Sequence, residues 1–240
     1  MEQLNTRFLR TEMLLGTDGM ARLQNAHVIV FGIGGVGSYA AEALVRAGVG
    51  RLTFVDGDAI AESNINRQIH ADTTTVGQWK AEAMAARALR INPQLAVRTV
   101  NAFATAESLP ILLADGADFI VDAIDNITVK IALAVYCHTK GIPEISSMGM
   151  ANKLHPERIA LADLYDTKVC PLARVMRTEL KKRGIPKLTV CYSDEPARTP
   201  LVIEPPEDGK RPLGSVSFVP SAAGLVIAGH VVRRIAQTGE

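Results

Sequence analysis

The sequence His27-Val-Ile-Val-Phe-Gly-Ile-Gly-Gly-Val-Gly37 gives the clearest indication of the fold. It opens with a short apolar run of mostly β-branched residues, which is typical of a buried strand. Gly32, Gly34, Gly35 and Gly37 follow at once. Glycines in this pattern permit a tight turn, let a phosphate approach the backbone and present the first amides of the next helix to the anion. The stretch therefore predicts a strand, a nucleotide-binding loop and a helix in succession.

Strands and helices alternate along the rest of the chain. Predicted strands cover 51–55, 95–100, 118–122, 143–146, 158–164 and 188–192, and predicted helices cover 36–47, 77–91, 127–139, 171–183 and 220–234. This alternation predicts a Rossmann-like, doubly wound α/β fold with a mostly parallel sheet. We expect one domain, with a nucleotide-binding core over about 20–150 and a substrate-facing part over about 151–240. The proline-rich segment near 194–214 is expected to be a mobile loop.

The composition excludes several classes of protein. The chain has 240 residues, of which 48% are apolar and 21% charged, so it can bury a substantial core. Its 26 basic and 25 acidic side chains give a net charge of +1, which excludes a strongly basic nucleic-acid wrapper. A local excess of positive charge is nevertheless present, because 174–187 contains six basic residues and one acidic residue. Such a run indicates either a solvated helix face or a polyanion-binding surface.

Cysteine usage and hydropathy bear on the compartment. The three cysteines, Cys137, Cys170 and Cys191, form no C-x-x-C pair, so a disulfide scaffold or a four-thiolate zinc site is not expected. The N-terminus has no signal-peptide pattern. The apolar stretch 216–232 is interrupted by Pro220 and His230, which favours a buried helix over stable membrane insertion. We therefore expect a soluble, cytoplasmic protein.

Polar residues downstream of the glycine loop indicate which nucleotide binds. Asp56 ends the second predicted strand, where its carboxylate can accept hydrogen bonds from ribose hydroxyls. Arg67 and Lys80 can neutralise phosphate, and Asp122 and Asp125 lie where a doubly wound sheet places its ligand. Two cations and a carboxylate that can hold a metal ion favour a triphosphate with Mg²⁺.

These motifs resemble the E1-like adenylating superfamily, which activates carboxylates with ATP. The matching segments are Gly32 to Gly37, Asp56-Gly-Asp58, Asn64-x-x-Arg67-Gln68, Gly77-x-x-Lys80, Asn92-Pro93 and Asp122-x-x-Asp125-Asn126. The resemblance implies an E1-like C-terminal extension and an ATP site that comprises Gly32, Gly34, Gly35, Gly37, Asp56, Asp58, Asn64, Arg67, Lys80, Asp125 and Asn126. It implies catalytic roles for Arg67, Lys80 and Asp125, with Asp125 binding Mg²⁺. It also implies a homodimer in which Arg7 reaches the partner's site.

The distal half resembles the branch that dehydrates threonylcarbamoyladenosine in tRNA. The resemblance rests on Pro171-Leu-Ala-Arg174-Val-Met-Arg177, on Lys181-Lys182-Arg183, and on Tyr192-Ser193 before Glu195-Pro196-Ala-Arg198. It implies ATP-dependent cyclisation of the modified adenosine at tRNA position 37, with release of pyrophosphate and AMP. The tRNA-binding residues expected on the 171–183 helix are Arg174, Arg177, Lys181, Lys182 and Arg183.

Three other functions stay open at this point. An enzyme that adenylates the C-terminal glycine of a ubiquitin-like or sulfur-carrier protein shares the ATP motifs, although such enzymes commonly carry two C-x-x-C pairs. A nicotinamide oxidoreductase shares the glycine loop and Asp56 but gives Arg67, Lys80 and Asp125 no common role. A nucleotide-sensing adaptor in a sulfur-relay complex needs no turnover. Relatives of the dehydratase branch are associated with cysteine desulfurases, so Cys170 or Cys191 is either a sulfur acceptor or a core residue.

Overall fold

The computed structural model describes residues 6–201 and 213–238. Seven strands form one sheet: β1 (His27–Phe31), β2 (Arg51–Val55), β3 (Ala96–Val100), β4 (Phe119–Asp122), β5 (Glu144–Ser147), β6 (Ile159–Asp163) and β7 (Thr189–Ser193). The helices are α1 (Leu9–Asn25), α2 (Gly37–Ala47), α3 (Lys80–Ile91), α4 (Leu109–Leu112), α5 (Ile127–Lys140), α6 (Pro171–Lys182) and α7 (Phe218–Ala236). The predicted mostly parallel α/β fold is confirmed.

The strand order is β3-β2-β1-β4-β5-β7-β6, and only β6 pairs antiparallel with its neighbour. The winding direction reverses between β1 and β4, and open α/β sheets bind ligands in the crevice at such a point. Phe31 pairs with Val55 on one side and with Asp122 on the other. The chain therefore leaves β1, β2 and β4 at the same edge of the sheet, which brings the three predicted ligand-binding segments together.

Helices cover both faces of the sheet. Helices α1, α2, α3 and α7 share one hydrophobic core, and α4, α5 and α6 pack on the opposite face. Helix α7 passes so close to the start of α2 that a Cβ on Gly224 would clash with the backbone of Val36 and Ala40. Although it comes from the distal part of the chain, α7 thus belongs to the same layer as the helix that follows the glycine loop.

Helix α7 is long and apolar enough to cross a membrane by length and composition, with a mean hydropathy of 1.2. In the fold, however, Val219, Ile227 and Val231 are fully buried against the neighbouring helices and the sheet. The predicted core helix is therefore present, and it extends from Phe218 to Ala236.

Some predicted boundaries are wrong, and two helices were not predicted. Helix α3 starts at Lys80 rather than at residue 77, because Gly77 adopts a left-handed turn (φ +87°). Helix α1 escaped prediction because its apolar residues do not form one buried stripe: Met13 and Leu14 are exposed. The short α4 was also missed. Of the loop predicted near 194–214, residues 202–212 lie outside the described residues, and 194–201 and 213–214 contain neither helix nor strand.

Candidate active site

The glycine loop closes tightly against the loop that follows β4. Gly32 has a φ of +83°, and a Cβ there would lie 2.6 Å from the carbonyl oxygen of Ala123. A Cβ on Gly37 would clash with the carbonyl oxygen of Gly32. Only glycine therefore fits at either position. The close packing fixes the start of α2 and keeps its first amides at the sheet edge, where they can face an anion.

Asp56 joins the glycine loop to the end of β2. Its buried carboxylate accepts the backbone N–H of Ile33 at 2.6 Å and that of Asp58 at 2.8 Å. Burial raises the pKa of Asp56, while these two N–H groups and the Lys80 charge oppose the rise. The carboxylate thus has a structural task that the sequence did not reveal. Its remaining lone pairs can still accept from a ribose, as predicted.

Lys80 forms an ion pair with Asp58 at the first residue of α3. Lys80 Nζ lies 2.6 Å from Asp58 Oδ2, and the side chain of Lys80 is 8% exposed whereas that of Asp58 is 50% exposed. A carboxylate that is open to solvent can exchange its partner at little cost. Lys80 is therefore a cation that a phosphate can recruit from Asp58.

Arg67 and Asn64 lie in the polar segment between β2 and α3. A Cβ on Gly35 would lie 3.6 Å from Arg67 Cγ and 3.1 Å from Pro220 Cβ, so both residues border the glycine loop. The Arg67 guanidinium folds back onto its own segment and donates to the carbonyl oxygen of Ser63 and to Asn66 Oδ1, both at 2.8 Å. Asn64 Oδ1 accepts the N–H of Ala61 at 3.1 Å. Arg67 therefore borders the glycine loop, and its contact with phosphate stays a prediction.

Asp125 and Asn126 occupy the loop between β4 and α5. Asn126 caps α5, because its Oδ1 accepts the N–H groups of Thr128 (3.0 Å) and Val129 (3.2 Å). Asp125 is exposed. In ranges 6–201 and 213–238, no cluster of three or more His, Cys, Asp or Glu side chains could hold a metal ion. Mg²⁺ is commonly held by one or two carboxylates with substrate phosphates and water, and the exposed Asp125 beside the phosphate loop suits that mode.

Sequence reasoning missed a buried cluster directly behind this loop. Lys130 Nζ lies 2.9 Å from Asp122 Oδ2, and both side chains are fully buried. Ser146 Oγ donates to the same carboxylate oxygen at 2.7 Å. Burial and the Asp122 charge raise the pKa of the neighbouring Glu144 well above its ordinary range, and Lys130 partly opposes this. The available signal was a lysine within the otherwise apolar first turns of α5.

Two further polar residues lie between Arg67 and α3: Gln68, which belongs to a matching motif but was given no role, and His70, which was missed. Gln68 and His70 are 5% and 3% exposed, and Gln68 Oε1 and both ring nitrogens of His70 lack hydrogen-bond partners among the described residues. Burial, together with the charges of Lys80 and Arg87, lowers the pKa of His70 to about 4. His70 is therefore neutral at pH 7 and lies close enough to Lys80 to sense its charge.

Arg7 does not lie at the glycine loop of its own chain. It is exposed, its Cζ is 5.9 Å from the centre of the Phe8 ring, and it lines a cleft of about 1210 Å³ with Gly48 and Gly50. Gly48 follows the C-terminal end of α2, whereas the glycine loop precedes its N-terminal end. The predicted contact of Arg7 is with a partner's site, so this position neither supports nor contradicts that prediction.

The five basic residues predicted to bind tRNA lie on α6 or directly after it, and three of them already contact other protein groups. Arg177 donates to the carbonyl oxygen of Thr167 at 3.0 Å and to its hydroxyl, which anchors the turn before α6. Lys182 and Arg183 both pair with Glu179, at 2.7 and 2.6 Å. Arg174 and Lys181, two turns apart on one face, are exposed and face solvent. Of the five, Arg174 and Lys181 are thus exposed without an ion pair among the described residues, and tRNA binding by all five stays a prediction.

Both distal cysteines are buried. Cys170 is 3% exposed and Cys191 is fully buried, and burial raises the pKa of the Cys191 thiol to about 12. A thiol needs access and thiolate character to accept sulfur. The geometry therefore favours the core interpretation of both residues.

The geometry just described agrees with comparisons to known proteins. A family model described as the ThiF family matches residues 8–240. The chain belongs to the ThiF family. A tRNA threonylcarbamoyladenosine dehydratase from Bacillus subtilis is 44% identical, over 94% of this chain and 93% of that protein.

Solved structures agree with this assignment to the ThiF family. The Escherichia coli tRNA N6-threonylcarbamoyladenosine dehydratase in complex with AMP matches with a TM-score of 0.89 at 35% identity, covering 96% of this chain and 94% of that one. The same enzyme in complex with ATP matches with a TM-score of 0.87 at 34% identity, covering 97% and 96%. The similarity thus includes the distal part that carries α6 and α7.

Proposed function

We propose that this chain is an ATP-dependent tRNA threonylcarbamoyladenosine dehydratase, which cyclises the modified adenosine at tRNA position 37. One observation carries the proposal. A phosphate loop, two cations and an exposed carboxylate meet at one sheet edge, in a chain that is similar over nearly its whole length to a dehydratase solved with AMP and with ATP. ThiF-family membership also supports adenylation over nicotinamide chemistry, which leaves the cations without a common role.

The proposed reaction converts a poor electrophile into a good one. An oxygen of the threonyl carboxylate attacks the α-phosphorus of ATP and expels pyrophosphate, which leaves an acyl-adenylate. The ureido nitrogen on the same side chain then attacks the acyl carbon, loses its proton and expels AMP. The lost oxygen leaves on AMP, so the net change in the nucleoside is the loss of one water. Because the second nucleophile is tethered, its effective concentration can reach roughly 10⁵ M or more, and no catalytic cysteine is required.

The residues of the site divide this work by position. The amides at the start of α2 face the triphosphate, and Asp56 accepts from ribose. Lys80 exchanges its contact with Asp58 for a contact with the phosphates, and Arg67 does the same with its contact to the carbonyl oxygen of Ser63. Both cations then offset the negative charge that develops on the phosphates during adenylyl transfer. Asp125 would hold Mg²⁺, which supplies further charge neutralisation when it is bound.

The part of the chain beyond about residue 150 is proposed to face the tRNA. Arg174 and Lys181 are the side chains of α6 that are best placed to contact phosphate, since both are exposed on one face. Arg177, Lys182 and Arg183 are proposed only as weaker contributors, because protein groups already engage them.

A homodimer is proposed as the working unit. The only role that the superfamily resemblance offers Arg7 is in a partner's ATP site, and its own glycine loop lies at the other end of α2. A tRNA substrate also places the proposed reaction in the cytoplasm. A sulfur-accepting role in partnership with a cysteine desulfurase is the weakest part of the hypothesis, because Cys170 and Cys191 are buried.

The test is mass spectrometry of nucleosides from threonylcarbamoyladenosine-containing tRNA after incubation with the purified protein. We expect the nucleoside to lose one water only when ATP and Mg²⁺ are both present, with AMP formed in equal amount. Unmodified tRNA is the control and should yield no AMP above background. An untouched nucleoside would contradict the proposal, and AMP release that requires a carrier protein would point to the adenylation of that carrier instead.

A further inference from the structure

The buried pair of Lys130 and Asp122 is connected to the ATP site through the backbone. Besides its ion pair with Lys130, the Asp122 carboxylate accepts Ser146 Oγ–H and the N–H of Ile124, whose nitrogen lies 3.1 Å from Oδ1. This hydrogen bond sets the turn by which the chain leaves β4. Asp125 is the next residue, so its position depends on the orientation of the Asp122 carboxylate.

The same turn forms one wall of the glycine loop. The carbonyl oxygen of Ala123 lies directly behind Gly32, with no room for a Cβ. A shift of residues 123–125 would therefore move the metal-binding carboxylate and press on the phosphate loop together. Asp122 is fully buried and cannot reach ATP, so it acts on the site only through this turn.

Stability alone does not account for the pair. Lys130 Nζ is 2.9 Å from Asp122, yet it makes no hydrogen bond of good geometry among the described residues. A fully buried ammonium with unmet donors is costly, and buried ion pairs are often no more stabilising than apolar residues of similar volume. What the pair does provide is a buried side chain beneath the turn that accepts hydrogen bonds from the N–H of Ile124 and from Ser146 Oγ.

We propose that Lys130 is a positioning residue for the ATP and Mg²⁺ site. It holds Asp122 as a buried carboxylate, and Asp122 in turn fixes the turn that carries Asp125. This inference rests on the proposed function, because it takes Asp125 as the Mg²⁺ ligand. It adds a residue outside the ATP motifs, on the buried face of α5.

The test measures ATP binding by isothermal titration calorimetry, once with Mg²⁺ and once with EDTA. Lys130→Met should weaken binding with Mg²⁺ by roughly tenfold or more, as loss of outer partners commonly does at metal sites. Binding in EDTA should change far less. Lys140→Met, at the exposed end of the same helix, is the control and should match the wild type in both titrations.

Two double variants separate positioning from folding, since neither leaves an unpaired buried charge. Asp122→Asn/Lys130→Met keeps an acceptor for the Ile124 N–H and should retain most of the Mg²⁺-dependent binding. Asp122→Ala/Lys130→Met removes that acceptor and should lose it while remaining folded. Wild-type Mg²⁺-ATP affinity in the alanine double variant would overturn the inference. Failure of the wild-type protein to bind ATP would instead overturn the proposed function.

Discussion

Two lysine–carboxylate pairs flank the same sheet edge and differ mainly in burial. Lys80 pairs with Asp58 at the mouth of the site, where the carboxylate is half exposed. Lys130 pairs with Asp122 one layer deeper, where both side chains are fully buried. Lys80 can exchange the Asp58 carboxylate for a phosphate, because water solvates the carboxylate that is released. The second pair cannot open without leaving a charge in the protein interior.

Because the two lysine–carboxylate pairs differ in burial, they can serve different purposes. We propose that the ion pair at the mouth holds a cation that ATP can recruit, and that the buried pair fixes the backbone against which ATP would bind.

Removing the buried lysine should cost far more stability than removing the outer one. Lys130→Met leaves the Asp122 carboxylate buried and unpaired, so the free energy of unfolding should fall by about 3–5 kcal/mol. Lys80→Met breaks a pair that is open to solvent and should cost about 1 kcal/mol or less. Urea unfolding of the ligand-free proteins measures both. Equal losses would remove the distinction between the two pairs.

Acid should destabilise the protein through His70, which lies near the outer pair. Its pKa is lowered from 6.5 to about 4, so the folded state binds its proton less readily than the unfolded state does. The contribution of neutral His70 to the stability of the folded state is complete above pH 6.5 and is lost as the pH falls toward 4. At pH 4.5 the loss should be about 2–3 kcal/mol.

His70→Leu should remove this part of the acid sensitivity, whereas His138→Gln, at an exposed position, should keep it. Urea unfolding at pH 7 and pH 4.5 compares the two. The account of His70 fails if the leucine variant loses as much stability on acidification as the wild type does.

Loss of the recruited cation should affect catalysis rather than folding. A charge-assisted contact to phosphate contributes about 1.5–3 kcal/mol, so Lys80→Ala should slow AMP formation ~10–10²-fold. Lys140→Ala, at an exposed lysine at the end of α5, is the control. Unchanged AMP formation in Lys80→Ala would mean that the ligand does not recruit this cation.

The smallest effect is expected on tRNA binding by the basic residues on and next to α6, which differ in whether they form an ion pair with Glu179. Each phosphate contact adds about 0.7–0.9 to the slope of log binding constant against log salt. Arg174→Gln/Lys181→Gln should therefore lower the slope for tRNA by about 1–2. Lys182→Gln/Arg183→Gln should lower it less, because both cations already pair with Glu179, which offsets part of their charge. Equal changes in the two double variants would contradict this ranking.

Local pattern was enough to predict the fold and the outline of the site. The apolar run before Gly32 and the glycine spacing predicted β1, the loop and α2, because both signals come from neighbouring residues. Asp125 could be placed near the loop because parallel strands end at a common edge. Lys80 was assigned to the site by the resemblance to the E1-like superfamily. The pairing of Lys182 and Arg183 with Glu179 was also within reach, since these residues are three and four apart on or next to one helix.

Contacts between distant segments were beyond sequence reasoning. Asp122, Lys130 and Ser146 come from three elements, and no spacing rule brings them together. The second task of Asp56, which holds Ile33, depends on the tight fold of the glycine loop. Helix α1 was missed because its stability comes from packing on α7 rather than from its own pattern.

The most direct test of the central claim follows the oxygen that is lost. The tRNA substrate is prepared with ¹⁸O in the threonyl carboxylate and incubated with the protein, ATP and Mg²⁺. Activation of the carboxylate by adenylation predicts one ¹⁸O atom in the AMP for each cyclised nucleoside, as measured by mass spectrometry of both products. AMP that carries only unlabelled oxygen would contradict carboxylate adenylation, even if the cyclic nucleoside forms.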